Sequence, residues 1–203
     1  MMLAAGVFDF CDGLAARALG VSSPVGRELD SLSDVVSFGV LPSVMLFMTM
    51  PEGVFRWLPL LLAAFSALRL AKFNVDERQH SSFLGLPTPS SAILCGSVAA
   101  YAFFRPASWL GRLCVTPWFL PALAAVLCAL LVCEIPFFAF KSGSGHSEQP
   151  LPSLPGLKRT AFFCIAAMAV IVTAVLGWHW TAIPLLVFSA YILENLIFAL
   201  FRV

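Results

Sequence analysis

Four aspartates stand out in a chain otherwise short of charge. Asp9 and Asp12 are spaced i,i+3, Asp30 and Asp34 are spaced i,i+4, and the sequence holds one other aspartate, Asp76. On a helix each of these spacings puts both carboxylates on one face. A short link at residues 20–23 would fold the second helix back beside the first, so that the two acidic faces converge. Carboxylates are hard oxygen ligands, suited to Mg²⁺, Mn²⁺ or Ca²⁺ rather than zinc. Four of them on two helices could hold one or two such ions, and the ions would offset their repulsion. Gly13 and Ala16 lie one turn beyond the first pair, and Gly26 one turn before Asp30. Residues this small leave room for a ligand against the helix backbone, or for close helix packing. Arg17 adds a guanidinium able to pair with phosphate. Metal, cation and a pocket of small residues together describe a pyrophosphate site. The plainer reading is a set of buried ion pairs with Arg17, Arg27 and Lys72, but helix association in membranes rarely needs so many carboxylates.

The elements that must position these groups are built for lipid. Hydrophobic residues make up 60% of the 203-residue chain and charged residues 11%. Soluble domains carry about 25% charged residues, so the apolar excess must face a membrane. The net charge of +1 gives no reason to expect nucleic-acid binding. The six cysteines form no CxxC pair and read as small hydrophobes, and the three histidines are scattered. A spanning helix needs about 20 mostly apolar residues. By that measure the sequence predicts an all-α, polytopic transmembrane bundle of about seven helical segments, at residues 1–19, 24–50, 57–75, 89–104, 116–140, 158–178 and 181–201. Pro24 suits a helix start. Residues 141–157, rich in Ser, Gly and Pro, read as a loop. The whole chain is expected to form one membrane domain, with the signature and acceptor region in residues 1–92 and further transmembrane helices in 93–203. Alternating the segments across the bilayer groups Arg17, Arg27, Arg69, Lys72, Arg78, Lys141, Lys158, Arg159 and Arg202 on one side, and Arg56, Arg105 and Arg112 on the other. The positive-inside rule makes the first side cytoplasmic.

The aspartate stretch reads Asp9-x2-Asp12-Gly13-x2-Ala16-Arg17-x8-Gly26-x3-Asp30-x3-Asp34. It resembles the signature of the CDP-alcohol phosphatidyltransferase family at every specified position and spacing. That resemblance implies a reaction: a CDP-linked lipid binds with a divalent metal, an acceptor hydroxyl attacks the phosphorus next to the lipid, and CMP leaves. It implies Asp9, Asp12, Asp30 and Asp34 as metal ligands for Mg²⁺ or Mn²⁺, with Asp34 also the general base. Gly13, Ala16, Arg17 and Gly26 would line the nucleotide and diphosphate site. Within the family, residues 22–43 resemble bacterial phosphatidylserine synthases, as do Arg-Leu-Ala-Lys-Phe-Asn at 69–74 and Gly-Leu-Pro-Thr-Pro-Ser-Ser-Ala at 85–92. The substrates implied are CDP-diacylglycerol and L-serine, in a homodimer among the lipids of a bacterial inner membrane, with the active site facing the cytoplasm. An amino-acid acceptor needs a cation for its carboxylate. Arg69 and Lys72, near the cytoplasmic end of the third segment, are the candidates, the alternative being that both snorkel as membrane anchors. Members of the family carry an earlier helix that helps hold the cytidine. This chain begins in what corresponds to the second helix, so a bundle lacking the first is expected.

Glycerol 3-phosphate, an inositol phosphate or an amino alcohol are alternative acceptors. A phosphorylated one would call for more cations than Arg69 and Lys72 supply. A divalent-cation transporter and an inactive relic are the readings from other classes. The charge asymmetry carries its own test. A cysteine introduced at Ser144 should escape a membrane-impermeant thiol reagent in intact cells and react once the membrane is opened. Strong labelling in intact cells would reverse the orientation.

Overall fold

The computed structural model describes residues 2–20, 23–75, 83–137 and 154–200. Helix α1 spans Met2–Leu19 and ends at Gly20. Helix α2, Pro24–Asp34, opens as its sequence asks: Pro24 takes the first position, and the Ser23 Oγ accepts from the Gly26 N–H at 3.0 Å. The helix then runs without a break through a π-helical turn, Val35–Val40, into α3, Leu41–Thr49. Pro42 has no N–H to return to the preceding turn, and the Leu41 N–H reaches back to the Val36 carbonyl. A 3₁₀ segment, Val54–Leu60, leads into α4, Leu61–Val75. Helices α5, Thr88–Phe104, and α6, Trp109–Cys114, come next. The rest is α7, Phe119–Val132, α8, Leu154–Val175, and α9, Ala182–Leu200.

The bundle is all-α, as the periodicity predicts, with corrections at its edges. The fifth predicted segment covers residues 116–140. Its helix occupies Phe119–Val132, and the chain is extended by Cys133. Pro136 explains the stop, because it disfavours helix at the residue before it and removes a donor. Two short strands replace the predicted helix end: β1, Phe83–Leu84, pairs antiparallel with β2, Pro136–Phe137. Helix α6 is not among the predicted segments, although Ser108 caps it by accepting from the Gly111 N–H at 3.1 Å. Helix α8 begins at Leu154, so the last residues assigned to the loop 141–157 are helical. Residues 141–153 of that loop lie outside the described residues.

Helix α5 lies at the centre. It packs on α3 and α9, while α4 packs on α7 and on the π turn, and α8 covers α9. Leu46, Leu62, Leu94, Cys95, Leu120, Leu127 and Leu131 fill the interior. Cys95, Cys114 and Cys128 are buried free thiols, in keeping with their reading as small hydrophobes. Large apolar side chains face outward along the helices, among them Val36, Val44, Met48, Leu61, Leu68, Phe163, Ile171 and Ile197. The stretches Glu28–Thr49 and Val54–Val75 are long and apolar enough to cross a bilayer, and Thr88–Phe104, Phe119–Val132, Phe162–Val175 and Ala182–Ile197 are shorter apolar helices.

The two ends of the bundle differ. At one end two arginines bond to distant backbone: Arg56 Nε donates to the Phe47 carbonyl of α3 at 3.1 Å, and Arg105 Nη2 to the Gly177 carbonyl at 3.0 Å. Phe55 packs on Trp118 and Phe104 stacks on His179, both with ring centroids 4.6 Å apart. All five tryptophans, at 57, 109, 118, 178 and 180, belong to this end. The other end carries the start of α2, the end of α4 and the β1–β2 pair.

One turn at that second end fixes the entry to α5. Gly85 has φ of +80°, and its N–H donates to the Ile135 carbonyl at 2.9 Å. The Leu86 N–H donates to the Leu130 carbonyl at 2.9 Å. A Cβ at Gly85 would stand 2.7 Å from the Leu131 carbonyl oxygen and 2.9 Å from that of Cys133. Both neighbours are backbone and have little room to move. Gly85→Ala should therefore cost about 1–3 kcal/mol from backbone strain of this kind, read as a lower Tm in detergent. An unchanged Tm would show that the turn relaxes without loss.

Candidate functional site

The aspartates meet where the middle of α1 faces the second half of α2. One carboxylate oxygen each from Asp9, Asp12 and Asp30 lies within 4.8 Å of the others. Asp9 is half-buried, and Asp12 and Asp30 are exposed. Asp34, one turn beyond Asp30, stands outside that trio and deeper. Its Oδ1 is buried and has no hydrogen-bond partner among the described residues. Three hard oxygen donors at this separation suit a divalent cation of the Mg²⁺ or Mn²⁺ type. Gly13, Ala16 and Gly26 lie on the same two helices, and Ala16 and Gly26 are exposed. A Cβ at Gly26 would meet the Ser23 Oγ, the helix cap, at 3.0 Å. The backbone of Arg17 belongs to α1, but its side chain lies outside those described, as does that of Arg27.

Helix α4 supplies the cations. Arg69 is 7% exposed, although it is a guanidinium. Its Nη1 donates to the Thr88 Oγ1 at 3.0 Å, while its Nε is buried with no partner among the described residues. Among the described residues, Asp34 and Tyr191 of α9 act on it electrostatically. Lys72, one turn later, is more open and pairs with Glu134 at 3.2 Å. Asn74 Nδ2 donates to the Ser31 Oγ at 3.0 Å and so binds the end of α4 to α2.

A close approach between helices makes this convergence possible. In the π turn, Gly39 meets α4, and a Cβ there would lie 3.0 Å from the Ser66 Cβ. Small residues at a crossing let helix backbones come together in a membrane. π turns inside α-helices often mark functional sites, and this one begins at the residue after Asp34.

Thr88 and Glu134 are not singled out as functional by the sequence. Thr88 lies in the Gly-Leu-Pro-Thr-Pro-Ser-Ser-Ala stretch, whose resemblance is the available signal. Glu134 offers none, since its partner is 62 residues away in the chain.

An all-helical membrane bundle with a carboxylate cluster at one end is the class that fold and site define. The chain belongs to the CDP-alcohol phosphatidyltransferase family, whose sequence model matches residues 1–118. It is 36% identical over 149 residues to the CDP-diacylglycerol–serine O-phosphatidyltransferase of Mycobacterium leprae, covering 67% of this chain and 47% of that protein. It is 32% identical over 191 residues to the enzyme of that name from Mycobacterium tuberculosis, covering 88% and 62%. It is 35% identical over 114 residues to the archaetidylserine synthase of Methanothermobacter thermautotrophicus, covering 53% and 48%. The chain thus spans about half to three-fifths of the length of these curated relatives.

The trio can be tested without turnover. Mn²⁺ binding, followed by electron paramagnetic resonance in detergent, should weaken by more than about tenfold in Asp9→Asn, Asp12→Asn or Asp30→Asn, because affinity at oxygen sites depends on ligand charge. EDTA should strip the ion reversibly. Mn²⁺ affinity unchanged from the parent chain in all three variants would remove the site.

Proposed function

We propose that the protein transfers the phosphatidyl group of CDP-diacylglycerol to L-serine, releasing CMP. The observation that carries this is the meeting of three carboxylates at the bundle end, with Asp34 and the buried Arg69 beside them. Asp9, Asp12, Asp30 and Asp34 would hold Mg²⁺ or Mn²⁺, which when bound neutralises the diphosphate and stabilises the departing CMP. Gly13, Ala16 and Gly26 leave the helix surface low enough for the nucleotide and diphosphate to lie against it, and Arg17 pairs with phosphate. The serine hydroxyl oxygen forms the new bond to the lipid-side phosphorus as the bond from that phosphorus to CMP breaks. Asp34 takes the hydroxyl proton as general base, and its unbonded Oδ1 is the atom available for it. Arg69 receives the serine carboxylate, and Lys72, one turn later, assists as a point charge when the acceptor draws it from Glu134.

The names of the relatives support serine as acceptor, since the archaeal and the mycobacterial proteins share it. The Lys and Arg asymmetry supports a cytoplasmic site in a bacterial inner membrane. The homodimer implied by the family resemblance belongs to the same reading. A cation-transport reading would want ligands along the bundle, but Asp9, Asp12 and Asp30 form the one such cluster among the described residues.

The experiment is CMP release by the reconstituted chain with CDP-diacylglycerol, Mn²⁺ and a panel of labelled acceptors. Serine should be the acceptor used, and Asp34→Asn should abolish turnover. Arg69→Ala should raise the serine KM steeply and spare that for CDP-diacylglycerol. Leaving a buried charged partner unpaired costs about 2–5 kcal/mol. Arg69→Lys should recover little, because the planar fork is lost. Preference for a phosphorylated acceptor, or an unchanged serine KM in Arg69→Ala, would refute the assignment.

A further inference from the structure

The first turn of α5 meets Arg69, and the pairing is electrostatically odd. The positive end of a helix disfavours a cation. Yet α5 is a 17-residue helix whose N-cap, Pro87, offers no side-chain bond, and its first residue, Thr88, holds a guanidinium that is 7% exposed. Thr88 itself is fully buried, at 0% exposure. Of the anionic side chains, Asp34 is the one whose field Arg69 feels most. Its Oδ1 and the Arg69 Nε are both buried without a hydrogen-bond partner among the described residues. The backbone at the start of α5 is committed, since Pro89 has no N–H and those of Ser90 and Ser91 donate to the Pro87 carbonyl, so an anion here would be held by the buried guanidinium.

The position of Thr88 is set from outside the helix. The Gly85 N–H donates to the Ile135 carbonyl just past α7, and the Leu86 N–H to the Leu130 carbonyl in its last turn. Pro87 then enters α5 with φ of −59° and ψ of 132°. The Thr88 hydroxyl is thus fixed by the α7 end, and the guanidinium is fixed by the hydroxyl.

We propose that Thr88 is the positioning residue for Arg69, holding the buried guanidinium where the acceptor amino acid docks its carboxylate. The inference rests on the reading of Arg69 as the carboxylate partner and deepens it. Thr88 does not touch the reacting atoms. It holds one arm of the guanidinium so that the other donors present a fixed edge. Without the hydroxyl the arm rotates, and the entropy of ordering it falls on the acceptor.

The test is steady-state kinetics on the whole chain in proteoliposomes, with serine and CDP-diacylglycerol varied in turn. Thr88→Val keeps the shape and removes the hydroxyl. It should raise the serine KM by about tenfold, the scale of a hydrogen bond to a charged group, and leave the KM for CDP-diacylglycerol and the Mn²⁺ affinity unchanged. Thr88→Ser should restore the serine KM. In the Arg69→Ala background Thr88→Val should add little, because the two act as one unit. If the valine variant does not insert stably, Thr88→Cys takes its place with the same expectation. Three outcomes overturn the proposal: an unchanged serine KM in Thr88→Val, a Thr88→Ser variant as impaired as valine, or equal losses for both substrates. Arg69→Ala separates the two readings. If it raises the serine KM and Thr88→Val does not, the Thr88 role alone falls. If it leaves the serine KM unchanged, or if the parent chain transfers nothing to serine, both fall.

Discussion

Mutual repulsion among carboxylates is the constraint around which this end of the bundle is built. Two unit charges about 4 Å apart repel by roughly 1 kcal/mol in water and about 4 kcal/mol near a protein surface. Asp9, Asp12 and Asp30 bring three into that range. Such a cluster persists only if the surrounding helices are held by something else. The Ser23 cap fixes the start of α2, the Asn74–Ser31 bond fixes α4 against it, and the Gly39–Ser66 approach lets the backbones close. None of these contacts uses the aspartates. The scaffold therefore orders the carboxylates without their help, and a cation held there, as proposed, would gain the relief of their repulsion as binding energy.

The π turn bears on the same constraint. It lies between the carboxylate-bearing part of its helix and the apolar part, α3. A turn with one extra residue rotates the helix on its far side relative to the helix on its near side. One continuous helix can thereby aim Asp30 at the α1 aspartates while sending Leu46 and Met50 into the core. A straight helix would have to compromise one face for the other.

Much of this was readable from local spacing. The i,i+3 and i,i+4 aspartates, the Pro24 start and the short link at 20–23 fix which faces are acidic and how they are brought together. The apolar runs give the bundle because they are long, and length is what a membrane demands. Pairings between distant segments were not readable. Nothing near Arg69 indicates that its hydroxyl partner is Thr88, 19 residues away, nor near Lys72 that Glu134 will meet it. The π turn was hidden because its residues, Val-Val-Ser-Phe-Gly-Val, fit an ordinary apolar helix. The end of α7 was misjudged because hydrophobicity continues past Pro136 while helical hydrogen bonding does not.

The crowding of tryptophan at one end makes the molecule optically lopsided. Trp57, Trp109, Trp118, Trp178 and Trp180 are all at least 43% exposed and gather opposite the carboxylates. Indole favours the boundary between headgroups and water, so the intrinsic emission of the chain originates at one interface. Quenchers confined to a single leaflet will act on that emission from one side. The carboxylate end contributes no ultraviolet fluorophore stronger than phenylalanine or tyrosine, so a lone indole placed there, in a background without the other five, would report on it against a dark field.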